Sequence, residues 1–489
     1  MLKQKFMILP LALILTLALS GCLDLFTIPS ISVSNDNQWV AFLTTGGDNL
    51  DQMTLQAVNL NDGSIVAVGE EGSNQGAFDW NPTATEIAYY NLAADGTPSV
   101  RVSDLSDAGQ EALGVFAFPR NFWVTQMAYS PDGNWLALAV ILLPEDFIMT
   151  PDSDSSIEGV VTESALYLAN LADGTVTAAS NPGELTISTV AWSPDGAKVA
   201  FTAWKDGNGD GTIDSSGAGI MEAMFGAGDI TDIYVYDIAS QSITAFDDGN
   251  MNLSPDWLGP NTLVYSAYVL NFMSPDVGTL AINSYDLTSS TSTTLVAGSE
   301  SASFLSVSAS PDGSKIAYIQ SPEGGDSMMM GGFEGDMGTE PTEEAPAEPI
   351  QVIVANADGS NPTVVYETPG DGLPFDVPVW SQDGAWLFLS NGNPLGSVVG
   401  SMSSAFATGF TEGMEDLEGM EGVEGVDELE GVGEMLPTQM IVAIDLNDSA
   451  NTKVVYEGSI ASPALMQFAF SMSSMASGFD DMEFDTSGE

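Results

Sequence analysis

The chain of 489 residues has no histidine, one cysteine, and eight lysines and arginines against 68 aspartates and glutamates. Each shortage removes a class of chemistry. Without histidine there is no Ser-His-Asp or Cys-His triad, no imidazole-ligated zinc and no imidazole general base. No remaining side chain titrates near neutrality in an unperturbed state. The single cysteine, Cys22, excludes an intrachain disulfide. So few and such dispersed cations cannot neutralise a phosphate track, which argues against nucleic acid as a partner. There is no Walker A string, and no Gly-x-Gly-x-x-Gly that follows a strand and opens a helix. Capped helical periodicity is also missing outside the N-terminal leader, so α/β architectures are disfavoured.

What is present begins with that leader. Lys3 and Lys5 precede an apolar stretch from Phe6 to Leu19, the length of a signal peptide and, with Pro10 inside it, short for a membrane span. It ends in Leu19-Ser20-Gly21-Cys22, which resembles a bacterial lipobox. The resemblance implies residues 1–21 as a lipoprotein signal peptide, Cys22 as the lipidated N-terminus, and 22–30 as a short tether. The expected location is extracytoplasmic, with the membrane contacted through the lipid alone. Residues 1–21 carry two of the eight basic residues and none of the acids, so the chain from Cys22 on has six basic against 68 acidic side chains, net −62. That charge favours solubility and repels an anionic bilayer.

The remainder is organised by a repeat. Ser130-Pro131-Asp132-Gly133, Ser193-Pro194-Asp195-Gly196, Ser310-Pro311-Asp312-Gly313 and Ser381-Gln382-Asp383-Gly384 each lead, after two spacers, into an apolar run such as Val199-Ala200-Phe201. Proline presets φ for a type I turn, aspartate caps it, and glycine suits the exit. Three weaker copies lie at Asn35-Asp36-Asn37, Asn81-Pro82-Thr83-Ala84 and Gly259-Pro260-Asn261. Each unit has a second half with a hairpin signal, as at Asn61-Asp62-Gly63, Ala172-Asp173-Gly174 and Ala357-Asp358-Gly359, and less clearly at Asp237 and Asp445. Four short strands per unit predict an all-β fold, a propeller of seven four-stranded antiparallel blades over 31–470. Leu465 to Ser471 would either open an eighth blade or close the ring against the first.

These units resemble the propeller repeats of the TolB family and the related WD-type repeats of bacterial envelope proteins. The resemblance implies a rigid disc that binds partners. The chain lacks the separate N-terminal α/β domain of TolB proper, so docking to the Tol-Pal machinery does not carry over.

Within the fourth unit, Asp206-Gly207-Asn208-Gly209-Asp210-Gly211-Thr212-Ile213-Asp214 has the spacing of a calcium loop. Asp206, Asn208, Asp210 and Asp214 would give side-chain oxygens, Thr212 its carbonyl, and Gly211 the sharp turn. A structural calcium is the expected cofactor. Gly217 stands where a bidentate glutamate belongs, so a last ligand must come from elsewhere, with Glu222, Asp229 and Asp232 as candidates. Two low-complexity acidic, Met-rich insertions, 321–349 and 391–437, and a similar tail, 471–489, read as solvated and unstructured. The sharper alternative is that they dock a partner through Met and Phe.

The expected function is a non-enzymatic, monomeric protein-binding or scaffolding module of the cell envelope. A ligand or polysaccharide binder is the alternative, for which Trp80, Trp192, Trp257 and Trp380 are candidates, although their recurrence just before each turn suits blade packing. A carboxylate-dependent hydrolase is the third reading, with no pair of acids singled out.

Overall fold

The computed structural model describes Pro29 to Ala461, apart from parts of the connections, chiefly 145–162, 214–228, 270–278, 322–348, 369–374 and 392–438, and a few shorter stretches. Among the described residues every regular element is a β-strand, and the strands form seven antiparallel sheets of four, each from four consecutive strands. The first strands are Ile31–Val33, Asn74–Trp80, Phe122–Tyr129, Thr186–Trp192, Met251–Gly259, Ser303–Ala309 and Val379–Trp380. Each touches the first strand of the next sheet, and the last touches Ile31–Val33. The sheets are therefore blades of a closed seven-bladed propeller, with their first strands around the axis. Leu465 to Ser471 lie outside the described residues.

Neighbouring blades cover both faces of a second strand, so these strands read as unbroken apolar runs rather than as alternation. Leu136 to Val140 have no exposed surface at all, and Val40 to Leu43 in blade 1 are the same. The outermost strands are the reverse: in Thr291–Val296 the first four residues are exposed. Aromatic rings fill the gaps between blades. Phe246 of blade 4 stacks on Tyr285 of blade 5 at 4.2 Å and meets Tyr265 edge-on at 5.1 Å.

The ring closes without exchanging a strand. Ser30, just ahead of blade 1, donates its backbone N–H and its hydroxyl to the Asp376 carboxylate ahead of the first strand of blade 7. Ala461, beyond the last strand, donates its N–H to Leu43 O at 2.8 Å. Phe42 packs on Tyr456 across the same seam, with ring centres 4.3 Å apart.

Strand alternation sorts the connections onto two faces. First-to-second and third-to-fourth turns lie on one, the turn face. Second-to-third connections lie on the other, and the long ones are all there: 143–162, 206–229, 269–279, 322–349 and 391–439, in blades 3 to 7. The strand ends that flank the calcium-like loop and both acidic insertions thus share one face. The chain also enters blade 1 on that face, at Ser30. The sixth blade keeps Ser321 in its second strand, so the first insertion begins one residue later than expected. The ends of these segments are close neighbours: Leu142 pairs with Glu163, Lys205 with Ile230, and Asn391 donates its N–H to Met440 O at 3.2 Å.

Candidate functional site

The Ser-Pro-Asp-Gly turn is a lock made by its first and third residues. Ser130 Oγ donates to Asp132 Oδ1 at 2.6 Å and accepts the N–H of Trp135 at 2.9 Å, while Asp132 Oδ1 also accepts the N–H of Asn134. The same bonds recur at Ser193/Asp195, Ser310/Asp312 and Ser381/Asp383. Blade 1, a weak copy by sequence, keeps the lock through Ser34 and Asp36, with Asn37 at φ 55° in the place of the glycine. The serine bonds hold the carboxyls of Asp132, Asp312 and Asp383 below the usual range, Asp312 at about 2. The turns are framework.

Around the axis, side chains staple blade to blade. Trp192 Nε1 donates to Ala128 O at 3.0 Å, Trp257 Nε1 to Ala191 O at 3.1 Å, and Trp380 Nε1 to Ser308 Oγ at 3.1 Å. Each tryptophan thus reaches back to the preceding blade. Carboxylates and one amide reach forward. Asp79 Oδ2 accepts the N–H of Tyr129 in blade 3 at 2.9 Å, while its Oδ1 accepts the Ser32 hydroxyl of blade 1 at 2.8 Å. Asp256 Oδ2 accepts the N–H of Ala309 in blade 6 at 2.7 Å, and Gln126 Oε1 accepts the N–H of Val190 in blade 4. Of the four tryptophans expected as packing residues, Trp192, Trp257 and Trp380 both pack and bond. The carboxylate staples carry a sequence signal: Asp-Trp recurs at one repeat position, Asp79-Trp80 and Asp256-Trp257.

Most of these residues, Gln126 and Ser308 excepted, also line an axial cavity of about 440 Å3 to which all seven blades contribute, from Ser32 in blade 1 to Trp380 in blade 7. Pro82, Pro131, Pro194 and Pro311 stand at its turn-face end. A second space of about 280 Å3, sharing Asp256 and Trp380 with the first, continues it towards the opposite face past Gln126 and Pro29. Burial pushes Asp79 and Asp256 each up to about 6, against the pull of their hydrogen bonds, and pushes Asp376 at the seam up to about 7. Two lining residues each bury a polar atom that has no hydrogen-bond partner among the described residues: Trp80, through Nε1, and Tyr129, through its hydroxyl, and neither atom is open to the cavity. A buried donor left so is costly.

The calcium-like loop leaves the second strand of blade 4 after Lys205. Asn208, Asp210, Thr212 and Asp214 lie outside the described residues, as do Glu222 and Cys22. Asp206 and Gly209 are described: Asp206 Oδ1 accepts the N–H of Gly209, whose φ is 77°, so the loop begins as a tight aspartate-capped turn. Of the three candidates for the last ligand, Asp229 is fully buried at the loop's base and accepts the N–H of Gly207 at 2.8 Å. Asp232 is instead engaged with Asn252 Nδ2 at 3.0 Å and the N–H of Ile233 at 2.7 Å. Among the described residues no three acids gather in a metal-ligating group.

No family model and no curated protein matches the sequence. Solved structures do match. A puromycin-hydrolysing peptidase of Mycobacterium tuberculosis is similar at 13% identity and a TM-score of 0.52, over 90% of this chain and 55% of that one. A puromycin hydrolase is similar at 9% identity and a TM-score of 0.53, over 91% and 56%. This chain therefore spans about half the length of either enzyme. TolB of Acinetobacter baumannii is similar at 12% identity and a TM-score of 0.39, over 87% and 81%. At such identities the likeness is one of fold, a β-propeller.

Proposed function

We propose that the protein is a lipid-anchored extracytoplasmic propeller that acts as a non-enzymatic binding module of the bacterial cell envelope. The observation that carries this reading is the division between the faces. The chain enters the disc on the face opposite the locked turns, so a lipid on Cys22 would attach there through a short tether of at most about 30 Å. The turn face and the mouth of the axial cavity would then point away from the bilayer, rigid and open to partners. Strong negative charge keeps the disc off an anionic membrane, and two acyl chains or more hold it stably.

Substituting Cys22→Ser tests the anchor. Full-length protein should move from the membrane to the soluble fraction and lose incorporation of labelled fatty acid; retention in the membrane with Cys22→Ser would sink the proposal. Partner binding is tested by comparing proteins cross-linked to the wild type with those cross-linked to a variant lacking residues 401–436. Loss of a partner assigns docking to that insertion, and retention leaves docking to the turn face.

We further propose that Asp206, Asn208, Asp210, Thr212 and Asp214 hold a structural calcium ion, with Asp229 as the neighbouring carboxylate. The donor set is all oxygen, as a hard cation needs, and Asp229 stands beside the first turn of the loop. When bound, the ion would stiffen the connection. Millimolar calcium should raise Tm in the wild type and not in Asp206→Ala/Asp210→Ala. No rise, or an equal rise in both, removes the site.

The alternative reading, a ligand-binding propeller, is favoured by one observation: the axial cavity has the size of a small-ligand site and carries buried polar groups.

A further inference from the structure

We propose that the groove between the outer rim of blade 7 and the outer hairpin of blade 1 docks the chain's own acidic tail, through Phe479 to Phe484. The proposal is independent of the lipid anchor and of the calcium loop. Three large apolar side chains are exposed among the described residues: Val364, Val454 and Ile65. They stand on the outer strands of blades 6, 7 and 1, which follow one another around the ring. The same strands in blades 3, 4 and 5 present Thr177, Ser242 and Thr291 to Thr294 instead. Among the described residues, the rim therefore turns apolar around the seam.

At that seam the rim opens into a groove of about 310 Å3, walled by Asn37, Asn59 and Asn61 of blade 1 and by Trp386, Lys453 and Val454 of blade 7. No aspartate or glutamate lines it, in a chain that has 68 of them. The adjacent acids cap their own hairpins: Asp62 accepts the N–H of Ser64, and Asp445 that of Asn447, at 2.9 Å each. Lys453 has no carboxylate partner among the described residues, and its Nζ stands 5.3 Å from the centre of the Trp386 ring. An unpaired cation beside an aromatic ring and an exposed valine fits a segment that interleaves acids with large apolar side chains. Exposed ion pairs are weak, so contact of Phe and Met with Trp386 and Val454 supplies most of the hold.

Such a segment starts from the same seam. Ala461 bonds there to Leu43, and residues 462–489 lie outside the described residues. They carry five acids and no base, and Phe479-Asp480-Asp481-Met482-Glu483-Phe484 has the required mixture. Phe479 is 18 residues beyond Ala461, a reach of up to about 60 Å, whereas the six-residue outer strand of blade 7 is only about 20 Å long. Tethering also raises the tail's effective concentration to the millimolar range, so weak contacts suffice. A second copy is a poorer occupant, because two chains of the same strong negative charge repel each other.

Two measurements on the full-length chain test this. In the first, a pulse of acetic anhydride reads the reactivity of each lysine by peptide mass. Lys453 should react several-fold faster in Phe479→Ser/Met482→Ser/Phe484→Ser than in the wild type, with Lys198 and Lys315 unchanged. In the second, Cys22→Ser removes the native thiol, and mild oxidation should close a disulfide within one molecule of Val454→Cys/Met482→Cys. It should do so several-fold faster than in Thr244→Cys/Met482→Cys, whose first site is equally exposed on the outer strand of blade 4. Equal Lys453 reactivity in wild type and serine variant would overturn the proposal, as would equal rates for the two cysteine pairs. Disulfides formed only between molecules would give the groove to a second copy. Release of Lys453 by deletion of residues 401–436, with no effect of the serine variant, would give it to that insertion. Either result also overturns docking of the tail.

Discussion

The two faces of this disc are built by opposite rules. On the turn face, five blades repeat one serine–aspartate lock, and backbone approaches are so close that some glycines have no substitute. On the other face the blades share almost nothing: two have short connections and five have insertions of unrelated length and composition, whose ends are nonetheless close neighbours in the ladder. Uniformity marks where the fold is enforced, and variety marks where it is indifferent.

That contrast can be broken at single positions. The largest effect is expected at Gly313, with φ of 68° and a position at which an added Cβ would lie 2.2 Å from Leu258 O of the preceding blade. Gly313→Ala should cost about 3 kcal/mol or more, through left-handed strain and a clash with backbone that cannot move. Gly384 has nearly the same φ, 66°, with nothing within 4 Å of its Cβ. Gly384→Ala should cost only about 1 kcal/mol, the strain alone. Denaturant midpoints of the two variants make the comparison, and equal losses would mean that blade-to-blade approach contributes nothing.

A smaller effect is expected from pH, because the two kinds of aspartate pull in opposite directions. Asp79, Asp256 and Asp376 have folded-state values of about 6, 6 and 7, above the unfolded value of about 4, so the folded state takes up protons first as pH falls. Stability should rise as pH drops from about 8 to about 5. The turn-face carboxylates of Asp132, Asp312 and Asp383 are lowered, so their contribution is present above about 4 and is lost as pH falls through their folded values. Tm is therefore expected to peak between about pH 4 and 6, and Asp376→Asn should flatten the neutral side of the profile. A Tm that climbs steadily from pH 5 to 8 would contradict the assignment.

The smallest effect belongs to the other face. Replacing residues 393–438 by a short Asn-Gly turn should not lower Tm, since Asn391 and Met440 already face each other and a shorter loop costs no more to close. A fall of several degrees would show that the segment is part of the framework.

Much of the fold was legible because proline and glycine announce their φ in the sequence, as at Pro194 and Gly196. Ser34 was harder to see: blade 1 lacks both residues, and the bond between its serine and Asp36 has no signature apart from spacing. The hairpin at Asp286, where the carboxylate caps Thr288 and Ser289, was missed for the same reason. The axial site was least legible. Asp79 and Asp256 sit 177 positions apart within strands, and only closure of the ring brings them to one space. Composition gives no means of choosing two acids out of 68.

Because every blade is cut from one continuous stretch, both ends of the disc meet at a single seam, and force would be felt there first. A pull on the N-terminal tether runs along Ile31–Val33 and loads its three ladder pairs with Val40 to Phe42 together, in shear, with the Ser30–Asp376 bonds in series. A pull beyond Ala461 meets, among the described residues, first the single Leu43 bridge and then the bond of the Ile460 N–H to Gln439 Oε1. The N-terminal end is the stronger handle by which to hold this ring.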